Sequence, residues 1–361
     1  MRKRVVPALF VNLTAGVFLA TSLVAQRAPA PDPRPTITVG TATARRGEVA
    51  LGTIEVPAGV DAGMSIPVAV IHGARPGPVL ALVAGAHGTE YASIIALEKF
   101  IGMLLPAEVS GTVIVVPLVN VPSFERVVPH LNPVDGKNMN RFYPGNANGT
   151  QTERASFLIT REVVEQSDHL IDLHGGDLDE NLRQYSYWTE TGRARQDSIS
   201  KGMVLAFGLD HIIQAQGRPT DPAAARYLEN TATTRGKPSI TVEAGRAGTV
   251  AAEDVQALIE GCLNVMGYLG MAGREVRAVA SPVWIREVAT VASEKTGIFQ
   301  PLVDRGTYVA QGMKIGVVSD YLGRTIFEAV SPVSGIILFV RAVPSVVQGE
   351  TIANIGVVAR S

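Results

Sequence analysis

A chain of 361 residues, 46% of them hydrophobic and 18% charged, can hold one large domain and a smaller one, and it is too apolar for wholesale disorder. The formal net charge is −1, with no polybasic run interleaved with aromatics after the first residues. Nucleic-acid binding therefore has no electrostatic support, and small-molecule or peptide-like partners are expected.

In chain order, Met1-Arg2-Lys3-Arg4 and the apolar stretch from Val5 to Ala25 read as the basic and hydrophobic regions of an export signal, with Leu23-Val24-Ala25 a passable cleavage site. The stretch also approaches membrane-spanning length, so an uncleaved anchor through residues 5–25 is the alternative. Either way the body of the chain is expected outside the cytoplasm, periplasmic or extracellular. Cleavage would remove three basic residues, Arg2, Lys3 and Arg4, and no acidic one, taking the net charge from −1 to −4. Residues 26–36 are a proline-rich linker.

From Thr36 to Ile71, short β-prone runs (Ile37–Val39, Leu51–Val56, Ile66–Ile71) alternate with Gly and Pro breaks and predict an antiparallel start to a sheet. His72 follows the last run and reads as a turn residue. The turn signal Pro76-Gly77-Pro78 then precedes Val79 to Ala84, an apolar run with the length and branching of a buried strand, and a helix is expected over Glu90–Leu105. Gly111 to Asn120 is a second buried strand. The irregular stretch from Ser123 to Thr150 is long enough to suggest a functional loop, and at its heart lies Asp135-Gly136-Lys137-Asn138-Met139-Asn140-Arg141. Thr152 to Gln166 reads as a helix with Thr152 as its cap. His169 to His174 is a short strand leading into Gly175-Gly176, residues 199–214 a helix leading into a strand, and Lys237 to Glu243 another strand. A helix from about Ala251 to Leu269 closes this part. The single cysteine, Cys262, shares a helical spacing with Leu258, Val265 and Leu269 and is expected in the core. The order is strand then helix, repeated, with each interesting polar residue at the carboxyl end of a strand. After a boundary near Met271–Val276, Val, Ile and Gly with turns every eight to ten residues predict a small all-β unit over 276–361.

His87 and Glu90 sit where the central strand hands over to its helix, and a His and a Glu three apart there can converge on one ion. Alone, the pair equally describes a His at a helix start with a solvent-facing Glu. His174, also at a strand end, supplies a third ligand; two imidazoles, one carboxylate and an open position are the signature of catalytic zinc. Asp172 points to the same side as His174 and either accepts the imidazole's second N–H or solvates itself at the strand end. Glu243, a lone carboxylate ending an apolar strand, is placed as a general base, or else faces solvent. Arg141 offers a planar fork for a substrate carboxylate, with the Asn138 and Asn140 amides beside it, or pairs with an acidic neighbour. No Gly-x-Ser-x-Gly elbow occurs, which disfavours a serine mechanism.

As a set, His87-Gly-Thr-Glu90, the run from Pro133 to Gly145, Ile171-Asp-Leu-His-Gly-Gly176 and Thr241-Val-Glu-Ala-Gly245 resemble the succinylglutamate desuccinylase/aspartoacylase family of zinc carboxypeptidase-like deacylases, close to its N-acetyl diamino acid branch. The resemblance covers roughly residues 65–270. It implies a mixed eight-stranded sheet between helices, one zinc ion per chain on His87, Glu90 and His174, a carboxylate held by Asn140 and Arg141, and Glu243 as catalytic acid/base. Members of that branch tend to carry an arginine eleven residues before Arg141; His130 stands there, with Arg126 in the same loop as a substitute.

The end of the chain is similar to a biotinyl/lipoyl-like barrel-sandwich, through Thr296 to Val303, Gly306 to Gly312, Ile315 to Val318 and Val330 to Ile337. The turn equivalent to the modified tip, Tyr321-Leu-Gly-Arg324, has no lysine, and Met313-Lys314 falls before the strand rather than at the tip. A structural cap or a homo-oligomer surface is the expected role. The domains so read are a leader (1–25), a linker (26–36), a hydrolase domain (37–272) and the β unit. The function expected is hydrolysis of an amide, or less readily an ester, in a small carboxylate-bearing substrate such as an N-acyl amino acid. The alternatives are an exported metallocarboxypeptidase or murein-peptide amidase acting on short peptides, and a non-catalytic binding protein with a decayed site.

Overall fold

The computed structural model describes residues 34–359. The leader and most of the proline-rich linker fall outside the described residues, while Thr36 already opens the first strand. Strands β1 (Thr36–Val39) and β2 (Ala42–Arg45) form a hairpin, followed by β3 (Glu48–Val56), β4 (Met64–His72) and β5 (Arg75–Ala84). Next come α1 (Tyr91–Met103), β6 (Ser110–Val116), α2 (Val121–Arg126), α3 (Gln151–Ile159) and β7 (His169–His174). After β8 (Glu180–Leu182) and β9 (Tyr185–Thr189) come α4 (Ala194–Phe207), β10 (His211–Ala215), α5 (Leu228–Thr234), β11 (Ser239–Glu243) and α6 (Ala252–Tyr268).

Eight of these strands make a mixed sheet in the order β10-β9-β11-β7-β5-β6-β4-β3. Its central strands β11, β7, β5 and β6 run parallel, and antiparallel pairings flank them. The physics of β5 explains its central place. Every residue from Val79 to Ala84 is buried, because a parallel strand is covered on both faces. Leu80 and Leu82 point to a layer containing Leu97 and Phe100 of α1, Val204 and Phe207 of α4, and Leu258 and Cys262 of α6. Val79, Ala81 and Val83 alternate to the opposite layer, against Ala155 and Ile159 of α3 and Leu228 and Ala232 of α5. Cys262 is thus the core residue its helical spacing predicted.

Two local expectations are corrected. His72 is no turn residue: it ends β4 fully buried, with Nδ1 2.8 Å from Thr112 Oγ1 on β6. The following Gly73-Ala74 makes the bend, one residue later than the Gly-rich texture suggested. The cap of α3 is Thr150 rather than Thr152; Glu153 Oε2 accepts hydrogen bonds from the Thr150 backbone N–H and hydroxyl, both at 3.0 Å. Thr152 instead donates both its N–H and its hydroxyl to Asp135, each at 2.8 Å, tying the long loop to the helix start.

Beyond α6 only strands follow: β12 (Val283–Ala292), β13 (Gly297–Pro301), β14 (Tyr308–Val309), β15 (Lys314–Ser319), β16 (Thr325–Val330), β17 (Gly335–Arg341), β18 (Ser345–Val346) and β19 (Thr351–Val358). Four of them, β16-β15-β13-β18, form a separate antiparallel sheet. The rest extend the main sheet, because β12 pairs in parallel with β10 and carries β19, β17 and β14 outward. The change of texture near Met271–Val276 therefore ends the helices without ending the sheet. The β15–β16 tip carries no lysine, and Lys314 is ion-paired to Glu328 at 2.6 Å. No described helix is long and apolar enough to cross a membrane.

Candidate active site

The carboxyl ends of β5, β7 and β11 open on one crevice, because the three strands are adjacent and parallel. Past β5, the turn Gly85 to Thr89 carries His87 over the sheet edge, and Glu90 caps α1. Gly88 is needed there: a Cβ on it would stand 2.2 Å from the backbone nitrogen of Phe124, so only glycine lets the turn pack on α2. His174 ends β7, and Glu243 ends β11 directly opposite it in the ladder.

Glu90 lies between the two imidazoles. Its Oε1 is 2.6 Å from His87 Nδ1 and its Oε2 is 2.9 Å from His174 Nδ1. One ligand atom from each of the three residues falls within 4.8 Å of the others, a set able to hold a divalent ion. The remaining ring nitrogens are held in place. His87 Nε2 faces Asn138 Oδ1 at 3.1 Å, and His174 Nε2 faces Asp172 Oδ1 at 3.2 Å. Both acceptors suit imidazoles that present Nδ1 to a metal and donate from Nε2. Asn140 Nδ2, 3.1 Å from His174 Nε2, serves the other tautomer. The donor set, one borderline-soft pair and one hard oxygen in a buried pocket, fits zinc.

Charges in the crevice are strongly coupled. Burial works against ionisation of Glu90, yet the imidazoles of His174 and His87 hold its carboxyl below the usual range. Glu243 moves the other way: burial pushes it well above the usual range, His174 partly offsets that, and Glu90, Glu180 and Asp172 add to it. Glu180 is lifted to about 7 by burial and by Glu90. Burial also opposes a charge on His130, but its hydrogen bond to Asp179 and the nearby Asp177 and Glu180 raise it to about 9. His130 is therefore cationic at neutral pH, and its ring centroid lies 5.9 Å from that of His87.

The loop residues divide. Asn138 and Asn140 are committed to the protein: Asn138 Oδ1 accepts from the Asn140 N–H at 3.0 Å, and Asn140 Oδ1 accepts from the Leu228 N–H at 3.0 Å. Arg141 is exposed, donates to the Asn140 carbonyl at 2.7 Å, lies over the Tyr227 ring with its guanidinium carbon 4.8 Å from the centroid, and makes no ion pair among the described residues. Arg126 is exposed at the end of α2. Sequence reasoning missed Asp177, Asp179 and Glu180, although an acidic cluster right after His174-Gly-Gly was a visible signal. It also missed Tyr227, which had none.

With this geometry in view, a model of the succinylglutamate desuccinylase/aspartoacylase catalytic domain matches residues 76–269. The chain belongs to that family. A curated relative, the N-alpha-acetyl-L-2,4-diaminobutyric acid deacetylase of Halomonas elongata, is 31% identical over 307 residues, 82% of this chain and 86% of the relative. Among solved structures, the product-bound ectoine utilization protein EutE of Ruegeria pomeroyi superposes with a TM-score of 0.79 at 23% identity, covering 92% of this chain and all of that one. A succinylglutamate desuccinylase/aspartoacylase of Rhodobacter sphaeroides superposes with a TM-score of 0.76 at 24% identity, covering 87% of this chain and 96% of that one. These two likenesses establish the fold that the residue motifs implied. As a member of the desuccinylase/aspartoacylase family, the chain is a hydrolase of the deacylase class.

Proposed function

We propose that the chain is a zinc-dependent deacylase that cleaves the amide bond of a small N-acyl amino acid. The observation that carries this reading is the ladder pairing of Glu243 with His174, which puts a lone carboxylate beside the His87, Glu90 and His174 cluster. An ion on those three residues would acidify a water and polarise the acyl carbonyl. Glu243 takes the proton from the attacking water and returns it to the leaving nitrogen. Arg141, backed by Tyr227 and free of carboxylate partners among the described residues, orients the substrate carboxylate. The cationic His130 ring, 5.9 Å from that of His87, adds positive charge beside the cluster, where charge would develop on the acyl oxygen. The printed activity of the Halomonas relative supports an acetylated amino acid as the first substrate to try.

The test is turnover of a panel of N-acyl amino acids by the zinc-loaded protein, beside Glu243→Gln. That variant is expected to keep its metal and to lose turnover by about 10³-fold, within the range for a general base. Retention of most activity overturns the assignment of the base. A preference for cell-wall peptides moves the function to the amidase reading.

A further inference from the structure

We infer that Arg341, on the last strand to contact β8, is a positioning residue that aims His130 at the metal-ligand cluster through Asp179. The inference rests on the functional reading above for its kinetic consequence and on geometry alone for its structural part.

Asp179 shares its carboxylate between two partners. Its Oδ1 accepts from His130 Nε2 at 2.8 Å, and its Oδ2 lies 3.2 Å from an Arg341 terminal nitrogen. Neither partner has an easy alternative position. His130 has φ +60, a backbone conformation uncommon for residues other than glycine, and its N–H donates to Asp177 Oδ2 at 2.9 Å. The ring's Nδ1 lies 3.2 Å from Asp177 Oδ2, so both ring nitrogens are held by carboxylates, and Asp179 fixes the Nε2 side.

Arg341 is equally constrained. It is 9% exposed, its Nε donates to the Ser345 carbonyl at 2.6 Å, and its other terminal nitrogen is 3.1 Å from Glu350 Oε2. The backbone registers the same contact. Arg341 pairs with Glu180 across the β17–β8 ladder, and the Ala342 N–H donates to the Asp179 carbonyl at 2.8 Å. A side chain held by the Ser345 carbonyl and Glu350 can transmit a fixed position to Asp179, and a planar guanidinium does so with direction as well as charge. The strands after α6 therefore finish the site they stand beside through the Arg341–Asp179 contact.

Two measurements test this. The first reads the His130 ring resonances by NMR, assigned by their disappearance in His130→Ala. They are expected to shift in Arg341→Ala and in Asp179→Asn, which keeps the shape of the carboxylate, and to shift less in Arg341→Lys, which keeps the charge but not the fork. Ring resonances unmoved by both Arg341→Ala and Asp179→Asn overturn the proposal, whatever the activity.

The second is a kinetic cycle at matched zinc content. Arg341→Ala is expected to lower kcat about tenfold with KM within about twofold, and to cause no further loss when added to His130→Ala. Equal losses in the two backgrounds, the outcome of a merely structural arginine, overturn the kinetic part. If the ring resonances shift but the zinc-loaded wild type hydrolyses no N-acyl amino acid, the proposed function fails and the positioning stands.

Discussion

Asp172 shows how a single carboxylate can matter without touching substrate. It is 1% exposed and faces His174 Nε2, so it favours the tautomer that would present Nδ1 to a metal. Asp172→Asn is expected to weaken zinc binding by about 10–100-fold, read by competition with a chelator. His169, at the other end of the same strand, matters for stability. Burial, helped by Lys237 and Arg195 against Asp168, lowers its pKa from 6.5 to about 4. The folded state thus binds fewer protons than the unfolded one across that window, and stability falls as pH drops from 6.5 through 4. The full loss is roughly 3 kcal/mol. It is measured as the pH-dependent part of the unfolding free energy that disappears in His169→Gln; identical pH profiles for the two proteins would count against it.

Elements, rather than residues, set the reach of the site. The turn after β5 closes on α2 only because Gly88 lacks a Cβ, so Gly88→Ala must push His87 off its line or pry α2 away. Loss of metal affinity is expected to exceed loss of thermal stability, read by zinc titration beside a melting curve. The loop from Ser123 to Thr150 is similarly anchored. Asp135 accepts from Thr152, and Lys137 pairs with Glu153 at 2.7 Å, so the N-terminus of α3 fixes the segment that carries Asn138, Asn140 and Arg141. Glu153→Ala removes the capping box as well as this pair and is expected to cost about 1 kcal/mol, with a larger rise in KM than fall in kcat.

At the scale of the whole molecule, the sheet runs without a break from β3 to β14. A chain ending at residue 272 would expose the edge of β10 and leave Leu182, 4% exposed beside Phe339, uncovered. Such a truncation is expected to give aggregated protein by size-exclusion chromatography, since an unpaired apolar edge templates further pairing. We also propose that the protein is exported on the strength of Met1 to Ala25, and cell fractionation with mass measurement of the mature N-terminus checks this.

What was readable in the residues follows from which interactions are local. Val79 to Ala84 announced a doubly covered strand, and Cys262 its place in the core, because burial shows as apolar runs and helical periods. The cap of α3 was misplaced by two residues, since Thr150 and Thr152 offer the same hydroxyl and only the fold decides which one Asp135 takes. His72 looks like a turn residue in the sequence because nothing local shows that Thr112 waits across the sheet.

The sequence by itself determined the strand–helix alternation and the His and Glu types of the candidate ligand set. Only the tertiary structure decided that Glu243 stands in register with His174, that the three acidic groups Asp177, Asp179 and Glu180 crowd His130, and that β17 braces β8. Those are pairings between segments far apart in the chain, where many partners have the right chemistry. Packing of the whole sheet selects one of them, and no single stretch carries that information.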